Sequence, residues 1–114
     1  MENVIRGKSF GFALDIIRLY KKLQEQREYV VSRQLLRSGT SIGANVEEAE
    51  AGQSRNDFLA KMSVASKEAR ETRYWLCLLQ ESDLVEVDVS KELAQVDELI
   101  RILTAIVKTT NEKR

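Results

Sequence analysis

Apolar residues recur at helical spacing along this chain from one end to the other. The cleanest run is Phe58, Met62, Ala65, Ala69, Thr72, Leu76 and Leu79, where steps of four and three alternate as in a heptad seam. Val89, Leu93, Val96, Ile100, Leu103 and Val107 repeat that alternation, and Leu99, Ile102 and Ile106 add a second strip beside it. Near the start, Phe10, Ala13, Leu14 and Ile17 adjoin a second stripe of Phe12, Ile16, Leu19, Tyr20 and Leu23. Between these segments, Val31, Leu35, Ile42, Val46 and Ala49 fall close to one face, although Gly39 and Gly43 interrupt it. A glycine inside a helix costs roughly 1 kcal/mol against alanine. Two of them in one stripe predict a close approach of backbones, or a bend, with Arg37, Ser41, Asn45 and Glu48 near the edge of the core.

Cap signals divide the pattern into helices near 9–26, 29–51, 54–81 and 88–110. Ser9 is the expected N-cap of the first, Ser54 with Asp57 three residues on gives a weak capping box for the third, and Asp88 caps the fourth. Gly52 is the expected C′ residue of the second. Four amphipathic helices joined by short loops predict an all-α fold, an antiparallel up-down-up-down four-helix bundle forming a single domain over 1–114. The doubled stripes on the first and fourth helices have two readings. A bundle helix touches two neighbours, so a wide apolar face is ordinary; alternatively, Leu99, Ile102 and Ile106 are surplus surface for a subunit contact.

Composition narrows the function. The 114 residues are 43% hydrophobic and 32% charged, with no proline, as expected of long helices. Net charge is zero, but residues 1–46 carry eight basic and four acidic side chains while residues 47–114 carry ten and fourteen. Cys77 is the only cysteine, so an intrachain disulfide is excluded and a reducing cytoplasm is the expected location. The N-terminal apolar run meets Asp15 too early for a signal peptide, and no stretch approaches the ~20 apolar residues of a membrane span.

The absence of histidine removes Ser-His-Asp and Cys-His catalysis, the Glu-x-x-His pairs of di-iron bundles and a structural zinc site on one cysteine. No cofactor and no metal is expected, and the chain reads as a non-enzyme. Carboxylates remain at Glu47, Glu48 and Glu50 and at Glu68 and Glu71. Helical spacing favours ion pairs for them, Lys67 with Glu71, Lys61 with Glu68, and Arg37 with a third-helix glutamate. Arg18, Lys21 and Lys22 form a ridge continued by Arg33 and Arg37. It is either the solvated side of two helices or a phosphate-binding surface. Trp75 adjoins the seam residue Leu76, which suits packing at a helix or subunit interface.

Two segments, R-S-G-T-S-I-G-A-N-V-E-E-A (Arg37–Ala49) and K-E-A-R-E-T-R-Y-W-L (Lys67–Leu76), carry a resemblance. Together with K-S-F at Lys8–Phe10, they make the chain resemble the four-helix-bundle family encoded by intervening sequences in bacterial 23S ribosomal RNA genes. The family pattern falls on Arg37, Ser41–Ile42, Asn45 and Glu48, and departs at Ala49, where a glycine is usual. The resemblance implies a ring-like homopentamer, and a more distant likeness to accessory subunits of retroelement reverse transcriptases that bind nucleic acid through a basic surface. Two expectations follow. One is a non-catalytic oligomer that binds RNA, DNA or a nucleoprotein through Arg18, Lys21, Lys22, Arg33 and Arg37. The other is a protein-binding scaffold without nucleic-acid contact. In both, Arg37, Ser41, Asn45, Glu48 and Glu71 form a structural polar network.

Overall fold

The computed structural model of the protein describes residues 3–113. Among them are four helices and no strand: α1 (Val4–Glu25), α2 (Val31–Glu50), α3 (Arg55–Glu81) and α4 (Ser90–Glu112). Met1, Glu2 and Arg114, the ends of the expected 1–114 domain, lie outside the described residues. The helices form a square in which α1 and α3 each pack against α2 and α4. Cross-helix pairs fix the direction of every seam. Arg6 meets Glu47 while Gly39 faces Ile16, and Arg37 meets Glu71 while Lys61 meets Glu48. Arg70 meets Thr104 while Arg73 meets Asp97, and Lys8 meets Glu98 while Asp15 meets Lys91, so all four neighbours are antiparallel.

The core follows the apolar stripes. Phe12, Ile16, Leu19 and Leu23 from α1, Leu35, Ile42 and Val46 from α2, and Met62, Ala65, Ala69, Leu76 and Leu79 from α3 are buried. On α4 the buried line is Val96, Leu99 and Leu103, with Val89 just before it, whereas Leu93, Ile100 and Val107 are half-buried. The helix is therefore rotated so that both of its apolar strips straddle the core. Leu99 is wholly inside, whereas Ile102 and Ile106 pack against the core but stay half-buried, lining a groove with Val4, Ile5 and Phe58.

Helix starts differ from the expected caps for local reasons. Asn3, not Ser9, caps α1: its Oδ1 accepts from the Arg6 N–H at 3.1 Å, and asparagine serves there as well as serine. Ser9 lies buried inside the helix, its hydroxyl donating back to the Arg6 carbonyl. The N-terminus of α2 is capped from outside. The Glu28 carboxylate accepts from the backbone N–H groups of Val30, Val31 and Ser32 at 2.6–3.0 Å, which starts the helix two residues later than expected. Ser54 caps α3 as expected, accepting from the Asp57 N–H at 3.1 Å. At α4 the N-cap position is Val89, and Asp88 accepts from the Ser90 N–H at 3.0 Å. Gly52 follows the C-cap Ala51 of α2 but has no left-handed backbone. A Cβ there would stand 3.1 Å from the Ala49 carbonyl oxygen and 3.2 Å from the Asp57 Cβ, so close approach is what the glycine serves.

Candidate interaction surface

Gly39 and Gly43 do bring α1 and α2 together. A Cβ on Gly39 would lie 2.9 Å from Ile16 Cγ2 and 3.4 Å from Ile16 Cβ, and one on Gly43 would lie 3.4 Å from the Ser9 carbonyl oxygen. On the far side of α2, the expected polar constellation lies along the α2–α3 seam as three separate contacts. Arg37 bridges Glu71 and, at 3.3 Å, Glu68. Trp75 donates its indole N–H to Glu71 at 3.0 Å. The Arg37 guanidinium, helped by that indole, holds the Glu71 carboxyl below the usual carboxylate range. Asn45 donates to Ser41, to the carbonyl at 2.8 Å and the hydroxyl at 3.1 Å, within one helix. Glu48 pairs with Lys61 at 2.7 Å, so Lys61 is not the partner of Glu68 that spacing suggested.

The wholly buried polar contact of this seam is a different pair. Thr72 and Ser38, both without exposed surface, are hydrogen-bonded through their hydroxyls at 2.9 Å, and Thr72 also donates to the Glu68 carbonyl at 2.7 Å. Its signal was present in the sequence, since Ser38 completes the stripe Val31, Leu35, Ile42, Val46 at helical spacing. Buried hydroxyls persist where they find partners, and these two find each other.

The basic ridge divides. Arg18 turns to Asp15, which it meets at 2.9 Å, and Arg37 turns to α3. Lys21, Lys22 and Arg33 are exposed and make no ion pair among the described residues. Two of the five cations thus already have carboxylate partners on opposite flanks of the α1–α2 pair, which leaves three for an outside anion.

Between α1 and α2 runs a groove of about 290 Å³. Its wall is the first stripe of α1, Phe10, Ala13, Leu14 and Ile17, and its floor includes Thr40, Gly43 and Ala44. Phe10 is 62% exposed, and Leu14 and Ile17 are exposed as well. The small residues that permit the tight helix contact also leave no side chain on α2 large enough to cover that stripe. Arg6 and Glu47 pair across one end of it. On α3, diagonally across the square, Tyr74 and Leu78 form a second exposed apolar patch with the half-buried Cys77. Among the described residues, no three His, Cys, Asp or Glu side chains gather as a metal site, and no helix is long and apolar enough to cross a membrane.

Comparison with known proteins agrees with this architecture. Residues 1–105 match the family described as 23S rRNA-intervening sequence protein. A crystal structure at 1.70 Å of a protein of unknown function from the S23 ribosomal protein family of Bacteroides thetaiotaomicron VPI-5482 is 47% identical to this chain. It covers 92% of this chain and 99% of its own, with a TM-score of 0.87. No curated protein matches.

Proposed function

The chain belongs to the 23S rRNA-intervening sequence protein family, and from that membership we propose that it is a non-catalytic bundle acting by association with further copies of itself. The observation that carries this reading is the exposed stripe Phe10, Leu14 and Ile17 over a groove floored by small residues. An apolar edge of that length on a small soluble-type bundle is surface to be covered. The second patch, Tyr74 and Leu78, sits on the diagonal helix and faces another direction. Two unlike patches on opposite helices suit head-to-tail contacts, which close into rings. The homopentamer implied by the resemblance is one such closure, in a reducing cytoplasm where Cys77 stays a thiol.

The test is the pair Leu14→Glu with Ile17→Glu, followed by light scattering and far-ultraviolet circular dichroism. Helicity is expected to persist while the particle mass falls to that of one 13.0 kDa chain, or of two where the chains still pair end to end. An unchanged mass overturns the reading. A second reading, contact with RNA or DNA, is favoured by the exposure of Lys21, Lys22 and Arg33 without ion-pair partners among the described residues. It requires binding that falls steeply with salt and is abolished by Lys21→Glu with Lys22→Glu. Absence of binding to either nucleic acid at low ionic strength ends it.

A further inference from the structure

We propose that the end of the bundle carrying the α1–α2 and α3–α4 turns docks onto the same end of a second copy of this chain, about a two-fold axis. The two turns lie side by side: the Gln26 side chain donates to the Glu86 carbonyl at 2.8 Å and accepts from the Glu86 N–H at 3.0 Å. They carry opposite charge. Residues 21–33 hold four basic and two acidic side chains, and one of those acids, Glu28, is occupied by the N-terminus of α2. Residues 81–92 hold five acidic and one basic, and the basic one, Lys91, meets Asp15. Each half also presents apolar surface, Tyr29 at 50% and Val30 at 73% exposure on the basic side, Leu84 at 55% on the acidic side.

Backbone geometry adds an independent argument. Arg27 (φ 61°) and Asp83 (φ 58°) are the two non-glycine residues with left-handed backbone among those described. Each stands just after the C-cap of its helix, α1 and α3, where glycine is the favoured residue. The chain has five glycines and places none of them at a left-handed position. Arginine therefore occupies one of two equivalent turn positions at a conformational cost that glycine would avoid, and aspartate, which tolerates this region better, occupies the other at a smaller one. Strain retained at matched positions, with opposite charges on the two side chains, points to use of those side chains. A two-fold axis between two such ends sets Arg27 of each copy against Asp83 of the other and lays Tyr29 and Val30 on Leu84. Because the contact is isologous, one interface satisfies both turns of both copies. It uses neither the α1 stripe nor the α3 patch, so it doubles whatever those surfaces build.

Particle mass by light scattering separates the possibilities, measured for the wild type, Arg27→Glu, Asp83→Arg and the two combined, at about 0.05 M and about 1 M salt. The wild type at low salt is expected to have twice the mass of either single variant, whether the unit being doubled is a ring or one chain. The combined charge exchange is expected to restore the doubled mass, and high salt to weaken it. Arg27→Gly is expected to halve the mass while raising the melting temperature, a combination that a purely structural role for Arg27 does not give. Equal mass in the wild type and both single variants overturns the proposal, as does failure of the combined variant to recover. Loss of binding to a labelled single-stranded oligonucleotide in Arg27→Glu, with no change of mass, assigns the basic half to nucleic acid and also overturns it. A failure of the α1 stripe reading leaves a different trace, a doubled species of two chains only.

Discussion

The two flanks of α1 are built on opposite principles. Toward α2 the seam is dry and close, because Gly39 admits the β-branched Ile16 and Gly43 admits the backbone at Ser9. Toward α4 the stretch from Lys8 to Asp15 is polar and open. Lys8 pairs with Glu98 at 3.3 Å, Asp15 gathers Arg18, Lys91 and Gln95, and a cavity of about 190 Å³ lies between them. Gln95 Oε1 is buried there without a hydrogen-bond partner. The lesson is that tight packing by small residues does not cover more surface. It brings backbones together and leaves the outer stripe of α1 uncovered, whereas long charged side chains on the other flank bridge a wider gap. One helix thus has an apolar edge toward α2 suited to a further chain, and toward α4 an edge that is polar around Asp15 and apolar where Val4 and Ile5 approach Ile102 and Ile106.

The sharpest break of this contrast is Gly39→Val. Its branched side chain meets Ile16 in a region with no spare volume, so stability is expected to drop by about 3 kcal/mol, read as the urea midpoint. A drop within a few tenths would mean that the close flank yields easily. Thr72→Val comes next and probes the neighbouring α2–α3 seam. It strands the Ser38 hydroxyl, at about 1–2 kcal/mol, while Ser38→Ala in the same chain should recover part of the loss. Asn45→Ala should cost less than Thr72→Val, because Asn45 bonds only within its own half-exposed turn and alanine is the better helix former. The reverse order would restore Asn45 as the centre of a buried network.

On the open flank Gly11→Ala is expected to raise stability, by about 1 kcal/mol. No atom beyond its own surroundings lies within 4 Å of the added Cβ. The opposite signs at Gly39 and Gly11 are the comparison in its simplest form.

The smallest expected effect is in acid. The Gln95 amide, with Arg18 and Lys91 beside it, holds the Asp15 carboxyl below the usual carboxylate range. A carboxyl lowered by folding stabilises above its unfolded value, about pH 3.9, and that contribution disappears as pH falls through the folded value. The wild type should therefore lose melting temperature below about pH 4 more steeply than Asp15→Asn. Parallel curves would remove Asp15 from the account of this seam.

The sequence reveals those features that repeat. The α3 seam from Met62 to Leu79 is buried residue for residue, because a heptad leaves one face to bury. Gly39 and Gly43 announce a close contact, since only proximity offsets their cost inside a helix. Features that depend on a single partner elsewhere in the chain are not legible. Ser9 reads as the cap of α1, and Asn3 takes that place because the helix extends further, to where Arg6 meets Glu47 and Asn3 meets Glu50. The Glu28 carboxylate looks like any loop acid until the N-terminus of α2 is placed over it. The rotation of α4, which takes Leu99 into the core, depends on its packing against α1 and α3 at once. Of the candidate site, a bundle that packs α2 against α3 makes a third-helix glutamate an available partner for Arg37, whereas Arg18 leaves the basic ridge only because Asp15 lies one turn before it. The left-handed turns at Arg27 and Asp83 carry no sequence signal, for neither residue type is the one such a position favours.

The apolar edge of α1 is the surface through which another copy would join this one. Sedimentation velocity of the wild-type protein at micromolar concentration tests this most directly. The account predicts a homogeneous ring, a homopentamer or its doubled form, with no 13.0 kDa species. A particle of one or two chains at that concentration contradicts it.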